Sequence, residues 1–193
     1  MQQVYHPRML ASIPVWKMVH KRRECNIMDN AEKNTYVKEQ ITGALLRLLE
    51  TRALCEISVS EITSAAGVSR VSFYRNYREK EDILRAYMGR LFREWTAEYD
   101  RGAEHSNNDL LAAMFAHFEN YREFYLLLCR RDLLYLLKDV FMELTGPKPE
   151  YPNDGAYAAA FLSYGLYGWA EEWFKRGMQE SAEEMRAMLK DRL

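Results

Sequence analysis

Five residues of one short segment could form hydrogen bonds or apolar contacts with base edges and phosphates. Phe73 and Tyr77, four residues apart, share with Val68 the face that turns towards a core, so the other side chains point outward. These outward residues are Arg70, Val71, Ser72, Tyr74 and Arg75. A helix in the major groove of DNA displays such side chains, its first residues at base edges and later ones near phosphates. Lys80, at the next helix start, adds a cation that can reach a phosphate.

The elements around this segment are a helix, a glycine turn and a second helix. Ser58 followed by Glu61 is a capping box, which predicts a helix start. Gly67 can adopt the left-handed conformation that ends this helix, and Ser69 can cap the next one, from Arg70. This order predicts a helix-turn-helix unit, and the simpler alternative is a solvated face on an ordinary helical domain.

The distribution of charge separates one end of the chain from the rest. The net charge is −1, which is not that of a protein that binds polyanions over its whole surface. Between residues 67 and 80, however, Glu79 is the single acid against four bases, Arg70, Arg75, Arg78 and Lys80. The C-terminal half carries more acidic than basic residues. We therefore expect nucleic acid to contact one end only.

The segment AAGVSRVSFYRNYREKEDIL resembles the signature of TetR-type (tetracycline-repressor-like) bacterial transcriptional regulators, and the likeness extends over about residues 35 to 84. The resemblance implies that Arg70, Val71 and Ser72 contact bases. It implies phosphate contacts from Tyr74, Arg75, Lys80 and the capped helix start. The full predicted DNA-binding set is Ser58, Ser69, Arg70, Val71, Ser72, Tyr74, Arg75 and Lys80.

Two positions depart from this family pattern. Ala53 stands where the family usually has a glycine that ends the first helix, and Asn76-Tyr77 replace a common His-Phe pair. Tyr77 is a mild change. Asn76 removes one usual phosphate contact, and Arg75 is the expected substitute.

The whole chain reads as helical. Its five prolines lie at positions 7, 14, 147, 149 and 152, so residues 15 to 146 lack the strongest helix breaker. β-Branched residues are sparse and nowhere alternate over the length of a strand. We predict an all-α fold with a three-helix helix-turn-helix head, a long connector helix and a helical body. The expected regions are an N-terminal extension (1–30), a DNA-binding domain (31–82) and a ligand-binding and dimerisation domain (83–193).

The pattern also predicts the individual helices after the head. The connector runs from about Glu79 to Tyr99, followed by a loop over 101–108. A proline-rich loop spans 145–155, and Ser181 with Glu184 forms a second capping box for the last helix. The remaining predicted helices are 109–117, 118–129, 133–144 and 156–176.

Residues 155–170 contain no charged side chain. This run is shorter than the roughly 20 residues that span a bilayer, and Glu171 follows at once, so no membrane segment is predicted. A helix that is apolar on nearly all sides must instead be covered, which indicates a homodimer interface. The predicted interface residues are Ala158, Gly165, Gly168, Met185 and Leu189. The segment GLYGWAEEWFKRGMQESAEEM is similar to the C-terminal dimerisation segment of a Firmicute-type TetR subgroup.

The first thirty residues differ in composition from the rest. An apolar run from Met9 to Trp16 precedes a basic cluster, which is the reverse of a secretory signal. Three interpretations remain open: a poorly ordered extension, a basic arm that reaches along DNA, or a stretch upstream of a true start at Met28.

Catalysis and metal binding have no sequence support. The three cysteines have no metal-ligand spacing, which favours reduced thiols and a cytoplasmic location. No phosphate-binding glycine loop or nucleophile elbow is present, so we predict neither an enzyme nor a cofactor.

The aromatic residues of the body allow two interpretations, a core or the lining of a cavity for a hydrophobic or aromatic effector. The candidate effector contacts are Trp95, Phe115, Phe118, Tyr164 and Trp169. Taken with the resemblance, the predicted function is that of a transcriptional repressor. It would bind a palindromic operator as a homodimer, and an effector would change its affinity for DNA. The alternative is a TetR-like protein that is controlled by a partner protein and acts as an activator.

Overall fold

The computed structural model describes residues 30–99 and 107–190. Over these ranges the chain forms nine α-helices and one short 3₁₀ turn (Leu54–Glu56), with no β-strand. The predicted all-α fold is thereby confirmed. The three interpretations of the N-terminal extension and most of the predicted 101–108 loop lie outside the described residues.

The helices, numbered along the chain, are α1 (Asn30–Leu49), α2 (Val59–Ala66), α3 (Arg70–Asn76), α4 (Glu81–Tyr99), α5 (Asn107–Asn120), α6 (Arg122–Arg130), α7 (Leu134–Thr145), α8 (Asn153–Lys175) and α9 (Ala182–Lys190). None of the helices in the described ranges is long and apolar enough to cross a membrane.

Two compact units divide the chain, Met1–Asn76 and Tyr77–Leu193. We call the described part of the first the head and that of the second the body. The first unit ends at Asn76, and α4 packs against α5 and α7 within the second. Lys80 therefore belongs to the body.

In the head, α1 packs against both short helices that follow it. The predicted capping box is confirmed: the Glu61 backbone N–H donates to Ser58 Oγ at 3.2 Å, and the Ser58 N–H donates to Glu61 Oε2 at 2.8 Å. Gly67 ends α2 with φ of 66°, the left-handed conformation expected of it. The buried apolar side chains of the head include Ile41, Ala44, Leu45, Leu49, Ile57, Ile62 and Phe73.

In the body, the predicted break between residues 117 and 118 is wrong. Helix α5 continues to Asn120, and the Tyr121 N–H still donates to the His117 carbonyl at 3.2 Å. The chain leaves helical geometry at Tyr121 itself, with φ of −110° and ψ of 27°. Because His117 and Phe118 are both buried, tertiary packing holds this turn helical where local pattern gave no reason to expect it.

Helix α8 begins at Asn153, before the position that the sequence predicts. Pro152 is its N-cap, a place where the missing N–H of proline costs no helical hydrogen bond. The second predicted capping box is present, with the Glu184 N–H donating to Ser181 Oγ at 3.3 Å and the Ser181 N–H donating to Glu184 Oε2 at 2.8 Å. It starts α9, which packs against α5.

The centre of the body is aromatic. The rings of Tyr125 and Phe174 stack at 5.3 Å between centroids, and Phe118 meets each of them edge-on at 4.9 and 5.2 Å. All three side chains are almost completely buried. Such pairs add about 0.5–1.5 kcal/mol each beyond the area that they bury.

Candidate nucleic-acid interface

Helix α3 presents the side chains that the sequence selects. Val71 is 69% exposed and Tyr74 is 61% exposed, while Phe73 between them is fully buried. Arg70 and Arg75 are exposed as well. An exposed valine and tyrosine beside two arginines form an unusual surface for a helix that contacts only water. The same combination of apolar and cationic side chains suits contact with both bases and phosphates.

The start of α3 is held by its own serines. The Ser72 N–H donates to Ser69 Oγ at 3.0 Å, and the two hydroxyls lie 2.9 Å apart. The predicted cap is therefore confirmed. Both hydroxyls are engaged with each other in the chain alone, so a contact with DNA would have to share or replace this bond.

An ion pair joins the turn after α1 to the start of α2. Arg52 Nη1 lies 2.6 Å from Glu61 Oε1, and the second guanidinium nitrogen donates to the Glu56 carbonyl. The Arg52 bond, and after it the bonds from Ser58, lower the pKa of Glu61 to about 2. A depressed carboxyl pKa stabilises the fold above pH 4.5, and this contribution is lost as the pH falls towards 2.

A second bond joins α2 to α3. Arg70, the first residue of α3, donates from Nη2 to the hydroxyl of Ser60 near the start of α2. Arg70 is exposed and Ser60 is half-buried. The guanidinium is therefore directed back across the first helix of the motif.

The remaining predicted DNA contacts differ in their surroundings. Asn76 Nδ2 donates to the Ser72 carbonyl at 2.9 Å, so this amide forms a bond inside α3. Arg75 stays exposed. Lys80 is half-buried in the body, where its carbonyl accepts the Ile83 N–H at 3.2 Å.

Two of the five candidate effector residues belong to one aromatic cluster in the body. Trp95 lies 6.2 Å from Phe92 and 5.7 Å from His117, measured between ring centroids, and Phe118 lies within 6.0 Å of the same two rings. Helices α4 and α5 supply these residues.

This cluster contains two polar groups with unusual surroundings. His117 is 5% exposed, its Nε2 lies 3.0 Å from the Tyr125 hydroxyl, and burial lowers its pKa to about 4. The Trp95 indole N–H is buried and has no hydrogen-bond acceptor among the described residues. A buried donor without a partner costs about 1–3 kcal/mol.

The other three effector candidates lie elsewhere. Phe115 is fully buried and packs edge-on against Trp173 at 5.7 Å. Tyr164 is 55% exposed, with Lys138 Nζ 5.4 Å from its ring centroid. Trp169 is half-buried on α8. Since Phe115 packs on Trp173 and Tyr164 is largely exposed, the sequence grouped side chains whose surroundings differ in the fold.

The candidate dimer interface is divided in the same way. Ala158, Gly165 and Gly168 are exposed on α8, and a Cβ added at either glycine would meet no atom within 4 Å. Met185 and Leu189 are each only 4% exposed, because α9 packs against α5 in the same chain. These two side chains are already covered without a second copy.

Sequence reasoning missed several residues of these surfaces. Tyr157 and Phe161 are the most exposed large apolar side chains on α8, at 73% and 74%, and their spacing of four residues was a visible signal. The Arg52–Glu61 and Ser60–Arg70 contacts had no such signal, because each joins residues about ten positions apart on different elements. Over the described ranges no three His, Cys, Asp or Glu side chains are placed to hold a metal ion.

Two family models match the chain. Residues 41–87 match the model of the bacterial regulatory proteins of the tetR family, and residues 106–193 match a transcriptional regulator C-terminal region of the TetR group. Between them the two matches cover most of the head, the start of α4 and the whole range from α5 to α9.

One curated protein and two solved structures extend this result. The HTH-type transcriptional regulator EthR of Mycolicibacterium smegmatis is 36% identical over 64 residues, which are 33% of this chain and 30% of the relative. Lin0861 of Listeria innocua has a TM-score of 0.66 at 12% identity, over 89% of this chain and 94% of its own. A TetR transcriptional regulator of Streptococcus agalactiae has a TM-score of 0.50 at 20% identity, over 83% and 94%. At these identities the solved structures show a shared fold.

Proposed function

This chain belongs to the TetR family of bacterial regulatory proteins, and from that premise we propose that it is a sequence-specific DNA-binding repressor. It acts in the cytoplasm as a homodimer on a near-palindromic operator, and an effector bound in the body changes its DNA affinity. The observation that carries this proposal is the surface of α3, which exposes Arg70, Val71, Tyr74 and Arg75 around a fully buried Phe73.

The head explains how sequence would be recognised. Arg70 and Val71 lie at the N-terminal end of α3, which is the end of a recognition helix that meets base edges. Tyr74 and Arg75 follow one turn later, where phosphates are reached. Because most of the affinity of such a surface comes from phosphate contacts, binding should weaken steeply as salt rises.

A homodimer follows from the size of the site. One recognition helix contacts only a few base pairs, whereas two helices related by a two-fold axis reach major-groove faces about 34–36 Å apart. The exposed apolar face of α8 supports this assembly. It combines Tyr157 and Phe161 with the open backbone at Gly165 and Gly168, so a second helix can approach closely.

An effector site in the body is supported by the Trp95 indole N–H, a buried donor with no acceptor in the part of the chain that the structure describes. A ligand that carries a hydrogen-bond acceptor on an aromatic or apolar frame would satisfy this donor and lie against Phe92 and His117. Because the lowered pKa of His117 keeps the imidazole neutral at physiological pH, the cluster offers no cation to an anionic ligand.

Selection of bound duplexes from a random DNA pool tests the DNA-binding part directly. The expected product is an inverted repeat, whose affinity falls with a linear dependence of log K on log salt. Arg70→Ala should relax the preference at one base position per half-site, with a loss of about 1–3 kcal/mol. Lys80→Ala should weaken binding to all sequences alike. Unchanged affinity in both variants would mean that α3 is not the reading surface.

Gly165→Arg tests the homodimer. Because a side chain at this position meets open space in the single chain, the variant should fold normally as a monomer. In a dimer the charge would be buried without a partner, which costs about 3–5 kcal/mol. Sedimentation should show helical monomers that lose tight operator binding.

Ser64→Arg, an exposed position on α2 in the head, controls for added charge in the sedimentation measurement. A wild-type chain that is monomeric at micromolar concentration would contradict this part of the proposal.

A further inference from the structure

The side chain of Arg70 does not extend freely into solvent. Its Nη2 donates to the hydroxyl of Ser60, which lies one position after Val59, the first residue of α2. The contact joins the two helices of the motif across ten residues of chain and includes the turn at Gly67.

Both ends of this contact are fixed by their own helices. On the α2 side, Thr63 Oγ1 donates to the Ser60 carbonyl at 3.1 Å, and the Ser58–Glu61 box sets the start of the helix. On the α3 side, the Ser69 hydroxyl caps the helix that Arg70 begins. The guanidinium is therefore held between two backbone segments that cannot drift independently.

The chemistry of arginine makes this arrangement useful. A guanidinium has five N–H donors in a rigid fork, and a bond from one of them to Ser60 leaves the others available. Arg reads guanine by a bidentate pair of bonds to O6 and N7, which requires the fork to arrive in one orientation. A side chain that is already oriented loses less rotamer freedom when it binds.

We propose that Ser60 is a positioning residue, whose hydroxyl orients the Arg70 guanidinium for bidentate recognition of a guanine in each operator half-site. This inference rests on the proposed DNA binding by α3. Ser60 acts through Arg70 and makes no contribution to specificity of its own.

The competing role for Ser60 is a direct bond from its hydroxyl to a phosphate. In that case Ser60 and Arg70 would act independently, and the loss of the hydroxyl would weaken binding to every sequence equally. The two roles therefore differ in additivity and in base dependence, both of which can be measured.

The test uses the full-length wild-type chain and the operator that it selects from a random pool. Dissociation constants are measured for Ser60→Ala, Ser60→Thr, Arg70→Ala and the Ser60→Ala/Arg70→Ala double variant. Each is titrated with the selected operator and with operators substituted at each guanine. Ser64→Ala is the matched control, because Ser64 lies one turn later on α2, is exposed, and is not bonded to Arg70. Circular dichroism confirms that each variant is folded.

Ser60→Ala should weaken the selected operator by about three- to tenfold, the range of one lost orienting hydrogen bond. The loss should be largest at the base that Arg70→Ala identifies, and the double variant should bind like Arg70→Ala alone. Ser60→Thr, which keeps the hydroxyl, should stay within about twofold of wild type, as should Ser64→Ala.

Additive losses, a uniform loss over all bases, or no loss in Ser60→Ala would each overturn the positioning role while DNA binding stands. A wild-type chain that selects no sequence would instead overturn the proposed function and this inference with it.

Discussion

The head and the body use their side chains in opposite ways. In the head, most of the residues proposed to act are exposed, and short local bonds hold the helix that carries them, as Ser69 does at the start of α3. In the body, the members of the aromatic cluster are partly or fully buried, and they meet only because several helices pack together, as Trp95 and His117 do. The proposed DNA-binding surface is therefore set by local bonds, whereas the proposed effector site depends on how distant helices pack.

The charge of the two regions follows the same division. Arg52 and the Ser58 N–H stabilise the Glu61 carboxylate of the head and lower its pKa to about 2. Burial lowers the pKa of His117 in the body to about 4, because the charged imidazolium loses most of its solvation there. One region stabilises charge near its surface and the other excludes it from its interior.

The largest expected effect distinguishes, within α3, a buried side chain that stabilises the fold from an exposed one that is proposed to contact DNA. Phe73→Ala should lower the free energy of unfolding by about 3–5 kcal/mol, because the side chain is fully buried. Its neighbour Tyr74 is 61% exposed, so Tyr74→Ala should change stability by less than about 0.5 kcal/mol and weaken operator binding instead. Urea denaturation and DNA titration of both variants measure the two effects. Similar stability losses would mean that the head does not separate its core from its surface.

The next prediction concerns proton binding in the body. The folded-state pKa of His117 lies below the unfolded value of 6.5, so wild-type stability should fall between about pH 6.5 and pH 4, by about 3 kcal/mol in total. His117→Gln can keep a hydrogen bond to Tyr125 but does not titrate. The difference in unfolding free energy between the two proteins should therefore shrink over this range. A constant difference would show that His117 has the same pKa in the folded and the unfolded chain.

Two tryptophans of the body allow the contribution of the indole N–H to stability to be compared. Trp173 Nε1 donates to the Glu180 carbonyl at 3.1 Å, so Trp173→Phe should cost about 2 kcal/mol through the lost bond and the smaller ring. Trp95→Phe removes a donor without a partner and should stay within about 1 kcal/mol of wild type. Thermal and urea unfolding compare them. Equal losses would mean that the Trp95 N–H is satisfied in solution.

The smallest expected effect concerns the serine caps of one helix in the head and one helix in the body. Ser58→Ala and Ser181→Ala each remove the cap of one helix, α2 in the head and α9 in the body. Each should cost about 1 kcal/mol in urea denaturation. A clearly larger loss for Ser58→Ala would show that the bonds among Arg52, Ser58 and Glu61 act as one unit.

The sequence predicts the head well because the interactions that form it are short-range. The Ser58–Glu61 capping box, the glycine turn at Gly67 and the serine cap at Ser69 all act within one or two helical turns, and the structure reproduces them. The exception is the bond from Arg70 to Ser60. Its partners belong to different helices, and no periodic pattern relates them.

In the body, the sequence alone determined that the region is helical, aromatic and without strands. It did not determine which apolar faces meet. Met185 and Leu189 looked free to contact a second copy, yet α5 covers them, and Tyr164 looked like a member of the aromatic cluster, yet it lies 55% exposed. The hydrophobicity of a side chain predicts that it will be buried, but the hydrophobic effect has no direction. Only the packing of helices that are distant in sequence therefore decides which residues cover it.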